Sequence, residues 1–434
     1  MYKTLNDKIS QNKFAVGILG LGYVGLPLAK QFCLNKVKVF GIDIDKKKIS
    51  NLKKNISYIK TIQNKDIVLM NKNKFMPTTN FSIVKKCDVL IFCLPTPLDK
   101  HQNPDMSYIT NTLEATKFFF KKGQLFILES TTYPGTTEEF FLPIFEKKRF
   151  KVGKDVFLGY SPEREDPGNE KYSIDKITKI VSGFTIKCLN LTDRVYNFVV
   201  KSTFKVKNIR TAEMTKLLEN IYRCINVGLV NELKIVCQKM GLDIFDIIKA
   251  ASTKPFGFQP FYPGPGLGGH CIPIDPFILT WKAKQYKVNT KFIELAGQIN
   301  EQMPNYVVSN LQNALSINNK PLTKANILIL GVAYKKNVDD IRESPSLEVI
   351  EILKKIKANI YYHDPYIKKI EKSRHHNLFY KSIKLNYTNL SKFDAIVILT
   401  DHDFYDYQKI LKFSKLIIDA RGRLEADNKK VFRS

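Results

Sequence analysis

The sequence predicts an α/β protein: two doubly wound parallel-sheet domains joined by a central domain of long helices. Three observations carry that reading. An apolar run at residues 14–19 meets glycines at Gly20, Gly22 and Gly25, then a helix-like stretch and a second apolar run ending at Asp43. From Thr211, apolar residues recur at three- and four-residue spacing, the period of a long helix. From Ala325, a second series of short apolar runs alternates with helical stretches.

At 434 residues the chain has room for two or three domains, and 44% hydrophobic with 12% aromatic residues excludes a disordered protein. The longest apolar run, at residues 89–94, is strand-sized, so no membrane span is expected. The polar opening MYKTLNDKISQNKF lacks an apolar signal core, and the protein is expected to stay in the cytoplasm. Seven cysteines, odd in number and without CxxC pairs, suggest neither a disulfide framework nor a zinc site. His270 beside Cys271, and the His375-His376 pair, lack ligand-type partners at metal spacing, so no metal is expected. The net charge of +28 is spread through the chain without an aromatic-interleaved stripe. Solvated lysines are the default reading; no nucleic-acid partner is expected, and a small anionic substrate would still benefit.

The first segment is the dinucleotide fingerprint in full context, a strand, GLGYVG, a helix, a strand and an acid about 20 residues on. It marks a Rossmann-like domain whose glycines allow a tight turn and close approach of a pyrophosphate to a helix N-terminus. Asp43 would bind a ribose hydroxyl and repel a 2′-phosphate, which favours NAD over NADP, although Lys46, Lys47 and Lys48 blunt that argument. Further strands at residues 87–94, 124–128 and 156–160 run into Thr96, Thr131 and Glu163. Ligands bind beyond the carboxyl ends of such strands, so these three polar residues point at one crevice.

The long helix from Thr211 carries Met214, Leu217, Leu218, Ile221, Ile225, Leu229 and Leu233 at helical spacing and closes near Gly241. Glu213, Lys216, Asn220 and Arg223 share another face, either a solvated one or one aimed at a cleft between domains. Next comes PGPGLGGHCIPIDP, residues 263–276. Its glycines let the backbone approach a ligand, and Cys271 with Asp275 could supply a nucleophile and a proton-handling carboxylate. The same stretch also reads as a Gly/Pro turn that carries one of the seven cysteines. The second αβ series has no GxGxxG; Lys335, Arg342 and Arg421 lie at or past its strand ends, where cations hold phosphates. A second domain boundary is expected at residues 304–324.

Together the stretches GLGYVG, PTP, ESTTYPGT, SPERE, AEMTKLLEN, GPGLGGHCIPID, GVAYKKNVDDIRESP and IIDARG resemble, in order, the nucleotide-sugar 6-dehydrogenases, the family of UDP-glucose and UDP-N-acetylhexosamine dehydrogenases. The resemblance implies an NAD-binding domain at residues 1–208, a central helical dimerisation domain with the cysteine loop at 209–318, and a UDP-sugar-binding domain at 319–434. It implies a homodimer or higher homo-oligomer acting on a UDP-N-acetylhexosamine, and oxidation of a C6 alcohol to a carboxylate with two NAD. Cys271 would be the nucleophile that captures the aldehyde, with Lys216 and Asn220 stabilising the oxyanion. Asp275 with Thr131 would handle water, and Glu163 would act as acid/base in thioester hydrolysis. Gly20, Gly22, Tyr23, Val24, Gly25 and Asp43 match NAD contacts, as do Lys48, Thr96, Thr131 and Arg342. Glu163, Arg164, Lys216, Asn220 and Lys254 match substrate contacts, as do Tyr262, Gly268, Lys335 and Arg421.

The chain departs from the UDP-glucose enzymes at Ile274, where they have Lys, and at Arg164-Glu165, where they have Phe-Leu; near Pro255 an arginine is replaced by Lys254. SPEREDPGN, TKPFGF and GGHCIPIDP are similar instead to the UDP-N-acetylglucosamine 6-dehydrogenases of surface-polysaccharide pathways. UDP-N-acetylmannosamine, UDP-N-acetylgalactosamine and UDP-glucose remain as alternative substrates. A one-step hydroxyacid dehydrogenase would have no use for Cys271, and a non-catalytic NAD-sensing protein would have none for Cys271, Lys216 and Asp275 together.

Overall fold

In a computed structural model, all residues are described except 60, 100, 166–173, 270, 271, 374, 426 and 427. The chain divides into two compact units, one of residues 1–219 and 277–286 and the other of residues 220–276 and 287–434.

The first unit holds strands β1 (Ala15–Leu19), β2 (Lys38–Ile42), β3 (Phe75–Thr78), β4 (Val89–Phe92), β5 (Leu125–Leu128), β6 (Phe157–Tyr160), β7 (Lys179–Gly183) and β8 (Thr203–Lys205). They form one sheet in the order β3-β2-β1-β4-β5-β6-β7-β8. Helices α1 (Tyr2–Ser10), α2 (Gly25–Leu34), α3 (Lys46–Lys53), α4 (Asn64–Lys72), α5 (Ser107–Thr116), α6 (Thr136–Lys147) and α7 (Ile186–Tyr196) connect and flank them. Every residue of β1 is buried, as expected where a parallel sheet is covered on both faces. Val16 and Ile18 enter one core, Ala15 and Leu19 the other. The order reverses direction between β1 and β4, which puts the switch-point crevice beyond their carboxyl ends.

The last two strands run against the others, since β8 pairs parallel to β7. β7 pairs antiparallel to β6, through Gly159 with Gly183 and Tyr160 with Ser182, so its first residue, Lys179, lies at the edge where β5 and β6 end. The short strands β3, β7 and β8 carry Pro77, Lys179 or only three residues, and hydrophobic periodicity does not announce them.

The second unit has a fully parallel sheet of order β10-β9-β13-β14-β15, from β9 (Asn326–Leu330), β10 (Asn359–His363), β13 (Ala395–Ile398), β14 (Ile417–Asp419) and β15 (Val431–Arg433). A hairpin of β11 (Lys369–Ile370) and β12 (Tyr380–Lys381) lies outside it. Helices α8 (Ile209–Lys239) and α10 (Asp275–Gln285) run across the division between units, while α9 (Ile244–Ala251), α11 (Lys291–Ile317), α12 (Pro345–Lys355) and α13 (Tyr407–Phe413) lie within the second. The protein is thus α/β, with two Rossmann-like sheets and a helical centre. α11 continues through Pro304, so the chain leaves the helix only after Ile317. No described helix is long and apolar enough to cross a membrane.

The long helix inverts one expectation. Leu217 and Ile221 are buried, but Met214, Leu218, Leu229 and Leu233 are exposed, and Tyr222 and Val236 extend that apolar stripe. Glu213, Lys216 and Asn220 are the buried polar residues, while Arg223 is exposed. Periodicity fixes which residues share a face, not which face meets solvent.

Candidate active site

The turn after β1 is shaped by its glycines. Gly20 has φ +95°, and a Cβ there would lie 2.2 Å from the Cys93 carbonyl oxygen; one on Gly25 would lie 1.9 Å from the Gly20 carbonyl. These two positions close the turn against β4 and against the start of α2. Gly22 differs, because a Cβ there would meet nothing within 4 Å, which leaves the backbone approachable. Tyr23 packs against the core and Val24 caps α2. Asp43, at the end of β2, accepts from the Leu21 amide at 2.9 Å, the Asp45 amide at 2.9 Å and Lys48 Nζ at 3.3 Å.

At the neighbouring strand ends, Thr96 donates its hydroxyl to the Thr131 carbonyl at 2.6 Å, joining the segments after β4 and β5. Thr132 Oγ1 is buried without a partner among the described residues. Glu163 Oε1 accepts from the amides of Arg164 and Glu165, and Glu163 Oε2 accepts from Lys179 Nζ at 3.0 Å. Arg164 donates to the Thr178 carbonyl and pairs with Glu219 at 2.7 Å.

Sequence reasoning missed the group behind Glu163. Lys179 also donates to Glu129, whose second oxygen accepts from the Tyr196 hydroxyl. Burial pushes the Glu129 carboxyl up to about 7 against the attraction of Lys179. Burial also pushes Glu163 up, but the Lys179 ammonium and its hydrogen bonds outweigh that and hold it below the usual carboxylate range. Both carboxylates raise the Lys179 ammonium despite its burial. A lysine inside the apolar run ITKIVSG was the available signal.

On α8, Glu213 takes the amides of Gly135 and Thr137 and the Thr137 hydroxyl, so it caps α6 rather than facing a ligand. Lys216 follows one turn on, 8% exposed. Asn220 donates its side-chain amide to Asp275, and both are buried. Asp275 opens α10, four residues after Cys271. Cys271 and His270 lie outside the described residues.

In the second unit the glycine-rich loop is pinned by close contacts. A Cβ on Gly264 would lie 2.6 Å from Arg421 Nη1, and one on Gly268 would lie 2.7 Å from the Tyr334 Cβ. Arg421 donates Nε to the Leu399 carbonyl. Arg342 clamps Asp340 with Nε and Nη2, and its carbonyl accepts from the Gly269 amide. Lys335 is half-buried; Tyr262 and Lys254 are exposed, Lys254 stacking on Phe256. Buried Lys234, another residue missed from sequence, donates to the Gly264 carbonyl. The His375-His376 pair does meet carboxylates through the fold, with His376 Nδ1 3.3 Å from Glu351 and His375 Nε2 3.6 Å from Glu343.

Three family models match in succession: the NAD binding domain of the UDP-glucose/GDP-mannose dehydrogenase family at residues 14–207, its central domain at 210–302 and its UDP binding domain at 328–427. The chain belongs to the UDP-glucose/GDP-mannose dehydrogenase family. It is an NAD-dependent oxidoreductase of the UDP-sugar dehydrogenase type. Among similar proteins, Protein CapL of Staphylococcus aureus is 35% identical over 95% of this chain and 96% of its own. A UDP-N-acetyl-D-glucosamine 6-dehydrogenase of Pseudomonas aeruginosa is 33% identical, covering 95% of this chain and 97% of its own. The solved UDP-D-ManNAc dehydrogenase of Pyrococcus horikoshii superposes with a TM-score of 0.87 at 31% identity, over 96% of this chain and 98% of that one.

The residues of this dehydrogenase fit NAD. The open position at Gly22 beside the N-terminus of α2 suits a pyrophosphate, and Asp43 stands where a ribose hydroxyl would be received. NAD, when bound, accepts hydride from the substrate carbon.

Proposed function

We propose that this dehydrogenase oxidises the C6 alcohol of UDP-N-acetylglucosamine to the uronic acid, for surface-polysaccharide synthesis. The observation that carries the reading is the buried Asn220–Asp275 pair, which brings α8 to the residue that follows the Cys271 loop. Removal of one hydride and one proton from the alcohol leaves an aldehyde. The Cys271 thiol adds to that carbonyl, and loss of a second hydride and proton leaves a thioester. Water then adds, the thiolate leaves, and the carboxylate is released. Lys216 and Asn220 stabilise the oxyanion at each tetrahedral stage, Asp275 with Thr131 places the water, and Glu163 takes its proton. Covalent capture keeps the aldehyde from escaping.

Tyr262, Gly268, Lys335 and Arg421, with Lys254 and Arg164, receive the nucleotide sugar in this scheme. Lys48, Thr96 and Arg342 complete the NAD contacts. The three-part division at residues 1–208, 209–318 and 319–434 follows the family's organisation, and the protein works in the cytoplasm. The exposed apolar stripe of α8, from Met214 to Val236, supports a homodimer in which a second copy covers it. Similarity to UDP-N-acetylmannosamine dehydrogenases supports that sugar as the second reading.

The test is Cys271→Ser with UDP-N-acetylglucosamine and NAD. The variant is expected to bind NAD normally and to form no uronic acid; unchanged acid formation would end the thioester scheme. Side-by-side turnover of UDP-N-acetylmannosamine, UDP-N-acetylgalactosamine and UDP-glucose decides the sugar.

A further inference from the structure

The reversal of β7 has a chemical result at the edge of the first sheet. A parallel β7 would begin at the opposite edge; running antiparallel to β6, it brings Lys179 beside the segments that leave β5 and β6. A continuous buried chain follows, with Tyr196 of α7 donating to Glu129, and Lys179 donating to both Glu129 and Glu163. The Lys179 ammonium also lies 5.3 Å from the centre of the Tyr196 ring. Three elements thus fix one lysine, whose remaining function is to hold Glu163.

We propose that Lys179, clamped by Glu129 and Tyr196, is a positioning residue that keeps the Glu163 carboxylate anionic and in place to take the proton of the hydrolytic water. The inference rests on the reading of Glu163 as the acid/base of thioester hydrolysis. Neither partner alone would suffice. Two buried carboxylates repel, and one of them would take up a proton in the absence of a cation. Glu129, the more deeply buried, is the one that burial drives towards protonation. The ammonium between them lets Glu163 keep its charge while Glu129 absorbs the cost of burial. Among the described residues, the other titratable or charged groups around Glu163 are Arg164 and Glu165 on its own loop, Glu219 on α8 through Arg164, and Cys93 after β4. Glu165 is raised by burial and by Glu163, so it does not compete for Lys179 as an anion.

The step is a single proton transfer. The water O–H bond breaks, its proton goes to Glu163, and its oxygen adds to the thioester carbon as the thiolate departs. Hydride loss does not pass through this group, so NADH formed before hydrolysis is spared.

The experiment uses the full-length enzyme, NAD and the UDP-N-acetylhexosamine it turns over fastest. It records kcat and KM between about pH 6 and pH 9, together with NADH released in the first turnover. In the wild type Glu163 stays ionised across this range; without the cation its pKa rises, and Lys179→Met is expected to bring the acid limb of kcat up to about pH 8. Turnover then falls about tenfold near neutral pH and recovers at alkaline pH, with KM for NAD and the first-turnover NADH retained. Lys179→Arg should restore the wild-type limb. Glu129→Gln added to Lys179→Met, which removes the second buried carboxylate, should bring the raised limb part of the way back down. An unshifted limb in Lys179→Met, or an equal loss at every pH with altered NAD binding, overturns the proposal. If Lys179→Met does not fold, Lys179→Gln takes its place, and an unshifted limb there counts against the proposal equally. Glu163→Gln separates this inference from its premise. Normal turnover there removes the Glu163 reading itself, whereas slow hydrolysis there with an unshifted Lys179→Met profile removes only the role of Lys179.

Discussion

After β1 and after β9 the chain turns through a glycine of positive φ, Gly20 at +95° and Gly331 at +80°. Each glycine amide bonds to the last residue of the adjacent second strand, Ile42 or His363. In each a Cβ would run into the carbonyl oxygen of the residue where the third strand leaves the sheet, 2.2 Å from Cys93 and 2.4 Å from Thr400. An aspartate follows both second strands and takes amides of the turn, Asp43 from Leu21, and Asp364 from Val332 and Ala333. There the likeness stops. Asp364 is wholly buried and also bound to His402 and to the amides of Tyr366 and Ile367, so its turn is filled with protein contacts. The first turn has Gly22, with open space where a side chain would stand. On the proposed reading, the same turn geometry serves a dinucleotide in one sheet and structure in the other, and the spare glycine makes the difference.

The largest effect on that contrast is expected from Asp364→Ala, which strands several buried donors at once. Urea unfolding should show a loss of about 3 kcal/mol or more, because unpaired buried polar groups keep their full desolvation cost. A loss below about 1 kcal/mol would mean the second turn is not held as described. Gly22→Val should leave stability within about 0.5 kcal/mol, since the space is empty, yet weaken NAD binding by calorimetry by about 30-fold or more. Equal NAD affinity would remove the cradle. Asp43→Asn is expected to cut the preference for NAD over NADP by about tenfold in kcat/KM, as the charge that repels a 2′-phosphate is lost.

The smallest effect is in pH. Burial lowers His363 from its ordinary 6.5 to about 4, so the unfolded chain binds more protons there between those values. Stability from this group is complete above about pH 6.5 and is lost as pH falls towards about 4. His363→Gln should flatten that part of a pH-melting curve, and an unchanged curve would assign the acid loss elsewhere.

Strand β1, its glycine turn and Asp43 were legible because each is a local signal: an apolar run, a fixed spacing and an acid at a set distance. The four main strands of the second sheet were legible for the same reason. The group around Glu163 was not, because it joins residues up to 67 apart, from Glu129 to Tyr196, through a strand whose direction no sequence period encodes. Lys234 beneath Gly264 and Glu213 on the α6 terminus were hidden likewise, since a polar residue on a helix face reads as solvated until the fold covers it. Asn220 was legible as part of a polar helix face and Asp275 as the carboxylate near Cys271, but their contact was not, because it joins positions 55 apart.

The most direct test of the proposed chemistry is the number of NADH molecules formed per UDP-N-acetylglucosamine consumed, with NAD in excess. The thioester route predicts two. One per sugar, with the aldehyde released, would contradict it and leave Cys271 without a part in the reaction.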